Sequence, residues 1–259
     1  MNKESVVAKK KFGQNFLKDQ SVLRKIVEAM PKNENKIVEI GPGLGDLTKF
    51  LVDVKSVEAF EVDTDLCKLL QSTFKKEIDT KCLHINCGDV LTAWQSELVS
   101  EPYDLVANLP YYIATNIILK ALADPMCKNI LVMVQLEVAE KFCATEGEKV
   151  FGSLGIIAQS VGTVNIITKV PPTAFEPQPK VDSAVFLIQK NTDRSNKEFE
   201  SMLRVAFSQP RKTLVKNLST KYNKKSIQEA LQILELTLTI RPHQVSTKDY
   251  HQLYKIIYK

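Results

Sequence analysis

The sequence lacks the features that mark membrane, secreted or metal-dependent proteins. No run approaches the roughly 20 apolar residues needed to span a bilayer. The longest, such as residues 130–134, have the length of a buried strand. The first eleven residues are polar and basic with no apolar stretch behind them, which is not the pattern of a secretory signal. Cysteine is sparse: Cys67, Cys82, Cys87, Cys127 and Cys143 are odd in number and contain no CxxC pair. Five reduced thiols in a cytoplasmic protein is the expectation. His84, His243 and His251 are scattered, no Cys/His spacing suits zinc, and no metal is expected. Glycine is scarce too, and three of the nine glycines fall within residues 41–45. What remains, 44% hydrophobic and 25% charged residues in 259, is a globular composition. That length suits one large domain, or one of ordinary size with a small companion.

Charge is divided unevenly. Residues 1–25 carry seven basic and two acidic side chains, a net of +5; residues 26–189 carry 14 and 22, a net of −8; residues 190–259 carry 14 and six, a net of +8. An acidic middle between basic ends suggests a polyanionic partner held by the ends.

Strand and helix patterns alternate as far as residue 189. Short apolar strands are predicted at 37–40, 57–62, 83–85, 104–107, 130–135, 164–170 and 181–188. Helical spacing intervenes at 21–30, 46–52, 66–74, 115–123, 136–142 and 154–161. This alternation predicts an α/β fold with a mostly parallel sheet and helices on both faces. Beyond 189 only helices are predicted, at 199–207, 214–218, 227–234 and 250–258, after a polar linker at 191–196. The expected organisation is therefore a domain over 1–189 and a small all-helical C-terminal domain over 190–259.

Open α/β sheets bind ligands at the carboxyl ends of their strands. Glu39 to Gly45 follows the first predicted strand and places Gly41, Gly43 and Gly45 in a tight turn. It is not the dinucleotide fingerprint, because Asp46 stands where a small residue is required and would oppose a pyrophosphate. Glu61 ends the second strand and can accept bonds from both hydroxyls of a ribose. Gly88-Asp89 ends the third, where a carboxylate can meet the amino group of adenine. Together these ends point to a bound adenosine without phosphates, with S-adenosylmethionine as the cofactor. The fourth end is Asn108-Leu109-Pro110-Tyr111. An exocyclic adenine amine is a poor nucleophile, since its lone pair is delocalised into the ring. The Asn108 side-chain oxygen and the Leu109 carbonyl can accept both amine hydrogens and favour the pyramidal, nucleophilic form. Pro110 removes a competing donor, and Tyr111 offers a face on which a base stacks.

With these motifs the whole chain resembles the bacterial small-subunit ribosomal RNA adenine dimethyltransferases, the kasugamycin-sensitivity methyltransferase family. Phe12 to Leu17 resembles the N-terminal motif of that family, in which the residues matching Asn15 and Leu17 contact S-adenosylmethionine. Gly41, Glu61, Asp89 and Asn108 match its other cofactor-binding positions, and Asn108 to Tyr111 its catalytic motif. Phe175 opens a stretch resembling the late motif, where the family's Phe packs against the target base; the resemblance implies a sandwich with Tyr111. Residues 206–214 resemble the start of the family's helical domain, with Pro210 where a second Arg is usual and a helix restarting at Arg211. The resemblance implies a Rossmann-like, S-adenosylmethionine-dependent catalytic domain. It also implies transfer of four methyl groups to two adjacent adenosines in a hairpin near the 3′ end of 16S rRNA. The partner is the small ribosomal subunit, and the protein is expected to be a cytoplasmic monomer. Lys9, Lys10 and Lys11, with Arg211, Lys212, Lys216, Lys221, Lys224 and Lys225, are expected to hold RNA phosphates.

Other readings fit less well. The macrolide-resistance enzymes that dimethylate large-subunit rRNA usually have Ile where Leu109 stands and lack the Phe-Gly before Gln14. A DNA adenine methyltransferase would carry a different catalytic tetrapeptide, and a nicotinamide dehydrogenase is opposed by Asp46. A non-catalytic assembly factor would not need an intact Asn108 motif.

Overall fold

The computed structural model describes residue 9 and residues 13–192 and 196–258. The elements are β1 (Phe16–Leu17), α1 (Gln20–Glu28), β2 (Lys36–Ile40), α2 (Thr48–Val52), β3 (Val57–Glu61), α3 (Thr64–Thr73), α4 (Lys75–Asp79), β4 (Leu83–Cys87), α5 (Val90–Ala93) and β5 (Tyr103–Asn108). They continue as α6 (Ala114–Ala123), β6 (Cys127–Gln135), α7 (Leu136–Cys143), α8 (Ser153–Val161), β7 (Gly162–Val170), β8 (Phe175–Glu176) and β9 (Ser183–Lys190). Then come α9 (Lys197–Ala206), α10 (Leu214–Leu218), α11 (Lys224–Ile233) and α12 (Thr247–Ile257).

Seven strands form one sheet in the order β4-β3-β2-β5-β6-β9-β7. The β4-β3, β3-β2, β2-β5 and β5-β6 pairs are parallel, and β9 runs antiparallel to β6. A parallel strand covered on both faces reads as a continuous apolar run. Leu105, Val106 and Ala107 in β5 and Ile130 to Val134 in β6 are accordingly buried. The chain moves outward from β2 through β3 to β4 on one side, then returns to place β5 on the other. That reversal is the switch point at which such sheets open a crevice.

The helices begin where side chains satisfy their free N–H groups. Asp19 accepts from Ser21 and Val22 at the start of α1, Asp63 from Asp65 at α3, and Asn196 from Glu198 and Phe199 at α9. Two buried carboxylates brace the sheet away from its ligand-binding end. Asp104 accepts from the amides of Asn33, Asn35 and Asn129. Asp124 accepts from Trp94 Nε1 and the Tyr103 hydroxyl.

The structure departs from or adds to the sequence reading at four points. First, the chain forms two compact units, Met1–Ala139 with Thr163–Asp193, and Glu140–Gly162 with Arg194–Lys259. The stretch 140–162, expected within the first domain, joins the helical unit because Ala144, Phe151 and Ile156 share a core with Phe199, Leu203 and Tyr250. Second, β1 pairs with β8 in a separate antiparallel sheet, Phe16 opposite Glu176 and Leu17 opposite Phe175. Two-residue strands carry too short a pattern to read. Third, α10 spans the predicted 214–218, capped by Thr213, and the helix does not restart at Arg211 after Pro210. The turn before it is held by Asn217, whose side-chain nitrogen donates to the carbonyls of Ala206 and Gln209. Fourth, Cys67 and Cys87 are joined as a disulfide with Cα atoms 6.1 Å apart, so only Cys82, Cys127 and Cys143 are thiols. Parallel pairing of β3 with β4 brings the two cysteines together, which sequence spacing alone does not show. No helix is long and apolar enough to cross a membrane among the described residues.

Candidate active site

The carboxyl ends of β2, β3, β4 and β5 open onto one cavity in the sheet unit. The Gly41–Gly45 turn forms its floor. At Gly43 φ is +61°, and a Cβ there would lie 3.1 Å from the Phe16 ring. Glycine therefore allows the turn and the β1 segment to close on each other. The turn runs further than the sequence suggests, so α2 begins at Thr48 rather than at Asp46. Asp46 lines the cavity and pairs with Lys18 at 2.7 Å.

Glu61 is 4% exposed at the end of β3. Its Oε2 accepts from the Gly43 N–H at 3.1 Å and its Oε1 from the Asp63 N–H at 2.9 Å. Burial raises its pKa above the ordinary carboxylate value, against the pull of these backbone donors. A carboxylate has about four acceptor positions. Each oxygen therefore keeps capacity for one hydroxyl of a vicinal pair. Asp89 combines its two alternative readings: it caps α5 by accepting from the Leu91 N–H at 2.9 Å, and it lines the cavity. Glu39, 1% exposed, also lines the cavity and accepts from the Thr48 hydroxyl at 2.7 Å. Burial pushes its carboxyl up to about 8.

The fourth strand end is fixed by a contact distant in sequence. Asn108 Nδ2 donates to the main-chain carbonyl of Asn15 at 3.2 Å. A carbonyl only accepts, so the amide nitrogen must face Asn15 and Oδ1 must point the other way. Leu109 and Pro110 line the cavity, and the Leu109 N–H is taken by the Met133 carbonyl. Tyr111 is half-buried on the lining and shares a hydrogen bond with the Ser183 hydroxyl at 2.7 Å. Tyr112, 59% exposed, stands at the mouth.

The structure gathers Asn15, Leu17, Gly41, Glu61, Asp89 and Asn108 to Tyr111 around the one cavity. It does not bring Phe175 there. Phe175 is 3% exposed and packs with Leu17, Val170 and Ala174 in the core, so the expected sandwich with Tyr111 is not formed. Pairing of β8 with β1 turns its ring into the core. Lys9, expected on RNA phosphate, instead bridges Asp63 and Asp65 at 2.7 and 2.6 Å. Lys10, Lys11 and Phe12 lie outside the described residues. Arg211, Lys212, Lys216, Lys221, Lys224 and Lys225 are all exposed in the helical unit, with Lys221 on the Ser201 hydroxyl and Lys225 near Glu229. Sequence reasoning missed Gln14, Asp63 and Ser183. The side-chain contacts that place them, Gln14 with Asp63 and Ser183 with Tyr111, span 49 and 72 residues, and only the capping position of Asp63 before α3 gave a signal.

The lining suits one kind of ligand. Among the described residues it holds four carboxylates, on Glu39, Asp46, Glu61 and Asp89, and no lysine or arginine. Phosphates are disfavoured there and a cationic sulfonium is favoured. Glu61 fits a ribose diol, Asp89 fits an adenine amine, and the side chains of Val62, Val90 and Leu91 supply apolar surface for the base. This lining at the switch point of a mostly parallel sheet defines an S-adenosylmethionine-dependent methyltransferase with a Rossmann-like fold.

Comparison with known proteins narrows the class. The family model described as ribosomal RNA adenine dimethylase matches residues 6–259. The protein named ribosomal RNA small subunit methyltransferase A from Sulfurimonas denitrificans is 77% identical over 98% of this chain and 95% of its own length. The protein of that name from Aliarcobacter butzleri is 51% identical over 97% and 96%. A dimethyladenosine transferase from Plasmodium falciparum has a TM-score of 0.78 at 26% identity, covering 92% of this chain and 95% of its own. The 23S rRNA methyltransferase ErmE, at TM-score 0.74 and 24% identity over 95% and 100% of the chains, shares the fold. The chain belongs to the ribosomal RNA adenine dimethylase family.

Proposed function

We propose that the protein transfers methyl groups from S-adenosylmethionine to N6 of two adjacent adenosines in a hairpin near the 3′ end of 16S rRNA. The products are two N6,N6-dimethyladenosines. The observation that carries this reading is the orientation of Asn108, whose nitrogen is committed to Asn15 and whose oxygen is thereby presented as an acceptor. When bound, the cofactor supplies an electrophilic methyl group. Glu61 holds the ribose, Asp89 the adenine amine of the cofactor, and Gly41, Asn15 and Leu17 shape the rest of its site. The target base leaves its stack and lies against Tyr111. Asn108 Oδ1 and the Leu109 carbonyl accept the amine hydrogens and favour the lone pair as it turns toward the methyl carbon. As the N–C bond forms, the S–CH3 bond of the sulfonium breaks and its electron pair stays on sulfur as a neutral thioether; the amine proton becomes acidic and passes to solvent. Catalysis resides in the sheet unit, and the exposed cations of the helical unit bind rRNA on the small subunit. We read the protein as monomeric and cytoplasmic.

The test is methyl transfer from labelled S-adenosylmethionine to unmethylated small subunits, with large subunits in parallel, followed by mass spectrometry of digested rRNA. Dimethyladenosine is expected in the small subunit alone and is lost in Asn108→Ala. Transfer to the large subunit instead, or none despite cofactor binding, would overturn the substrate assignment.

A further inference from the structure

We propose that Lys9 is a positioning residue of the cofactor site: its ammonium, bridging Asp63 and Asp65, latches the Gly13–Asn15 wall of the cavity through Asp63 and Gln14. The inference rests on the reading of Glu61 as the ribose ligand.

Asp63 is 2% exposed, two residues beyond Glu61. One of its oxygens accepts from Lys9 Nζ at 2.7 Å, and the other from Gln14 Nε2 at 3.1 Å. Its own N–H donates to Glu61 Oε1 at 2.9 Å. Gln14 closes the loop from its other end, its Oε1 accepting the Lys9 N–H at 2.7 Å. One residue further, the Asn15 carbonyl takes the Asn108 amide. Gln14 is thus tied to Lys9 and to Asp63 beyond β3, and Asn15 to Asn108 at the tip of β5. Gly13, Gln14 and Asn15 form a wall of the cavity. An unbroken chain of bonds runs from Lys9 through Asp63 to Oε1 of Glu61. Holding a phosphate instead would require Lys9 to abandon both carboxylates. An ordered wall spares the cofactor the cost of ordering it on binding.

The experiment is calorimetric titration of the full chain with S-adenosylmethionine in the absence of RNA, together with steady-state kinetics on small subunits. Lys9→Met is expected to weaken cofactor binding roughly three- to tenfold by loss of preorganisation. The KM for the cofactor should rise while kcat at saturating cofactor is kept, and Lys9→Arg should restore affinity. Asp65→Asn, altered on a side chain 48% exposed and outside the cavity lining, should give a smaller loss. It serves if Lys9→Met does not fold. Unchanged cofactor affinity in Lys9→Met and Asp65→Asn would overturn the latch, and a concurrent loss of affinity for small subunits would make Lys9 a phosphate ligand. If the unaltered protein itself fails to bind the cofactor, the reading of the cavity falls, and the latch with it.

Discussion

Glu61→Gln isolates the residue on which the cofactor reading leans most. The two carboxylate oxygens each take one backbone N–H, from Gly43 and Asp63, in a pocket where the side chain is only 4% exposed. An amide has one oxygen and one nitrogen, and its nitrogen cannot accept. One of the two N–H groups then faces a donor, and an unsatisfied buried donor costs about 1–3 kcal/mol. Removing a desolvated charge offsets part of this, so the free protein should lose about 1–2 kcal/mol in urea denaturation. Cofactor binding should suffer more. Charge-assisted hydrogen bonds are worth about 1.5–3 kcal/mol and roughly twice their neutral counterparts. Losing the charge and one of the acceptors for the ribose should weaken binding about 10- to 100-fold. Calorimetric titration with S-adenosylmethionine reads the effect directly. A folded Glu61→Gln protein that binds within twofold of the parent would refute the role of Glu61 in holding ribose.

Three further outcomes follow from the geometry. Gly45→Ala should destabilise the protein by about 2–4 kcal/mol in urea denaturation, because φ is +77° and the new Cβ would sit 2.5 Å from the buried Phe74 ring. Glu39 has a folded-state pKa raised by burial to about 8 from 4.5, so its neutral form favours folding. Its contribution is complete below about 4.5 and declines as pH rises toward 8, by at most about 1.4 kcal/mol per pH unit; the Glu39→Gln protein should show a flatter stability profile over that window. Reversing the charges of Arg211, Lys212, Lys216, Lys221, Lys224 and Lys225 should leave cofactor binding intact and reduce the salt slope of rRNA binding by roughly 0.7–0.9 for each phosphate no longer neutralised; an unchanged slope would remove these residues from the RNA interface.

The centre of the sheet was legible because β2, β3, β5, β6 and β9 are buried on both faces and read as apolar runs between helical patterns. Strand ends were legible because Gly41, Glu61, Asp89 and Asn108 each follow such a run, and parallel strands align their ends in one place. The hydrogen bonds that orient those residues were not legible. Asn108 is set by a carbonyl 93 positions away, and Asp63 by Lys9 and Gln14 across more than 45. Nothing periodic links such partners. Phe175 shows the opposite failure: the resemblance implies a place on the target base, whereas a two-residue strand pairing turns it inward. The membership of residues 140–162 was not legible either, because a helix pattern does not reveal which core its apolar face joins.

The charge of the cavity bears on how a polyanion becomes a substrate. Four acidic side chains and no cation line it among the described residues; Glu39 is pushed toward its neutral form and Asp46 is paired with Lys18, so the repulsion of a sugar–phosphate backbone and the attraction of a sulfonium rest on Glu61 and Asp89. A nucleobase carries no charge. On the proposed function, then, the cavity admits a base only after it has been turned out of its stack, with its phosphates left outside. Those phosphates need cations elsewhere. The N-terminal Lys9 is already engaged by Asp63 and Asp65, whereas six exposed basic residues lie in the helical unit. The proposed division of labour between an acidic catalytic cavity and a basic RNA-holding surface agrees in sign with the net −8 of residues 26–189 and the net +8 of residues 190–259.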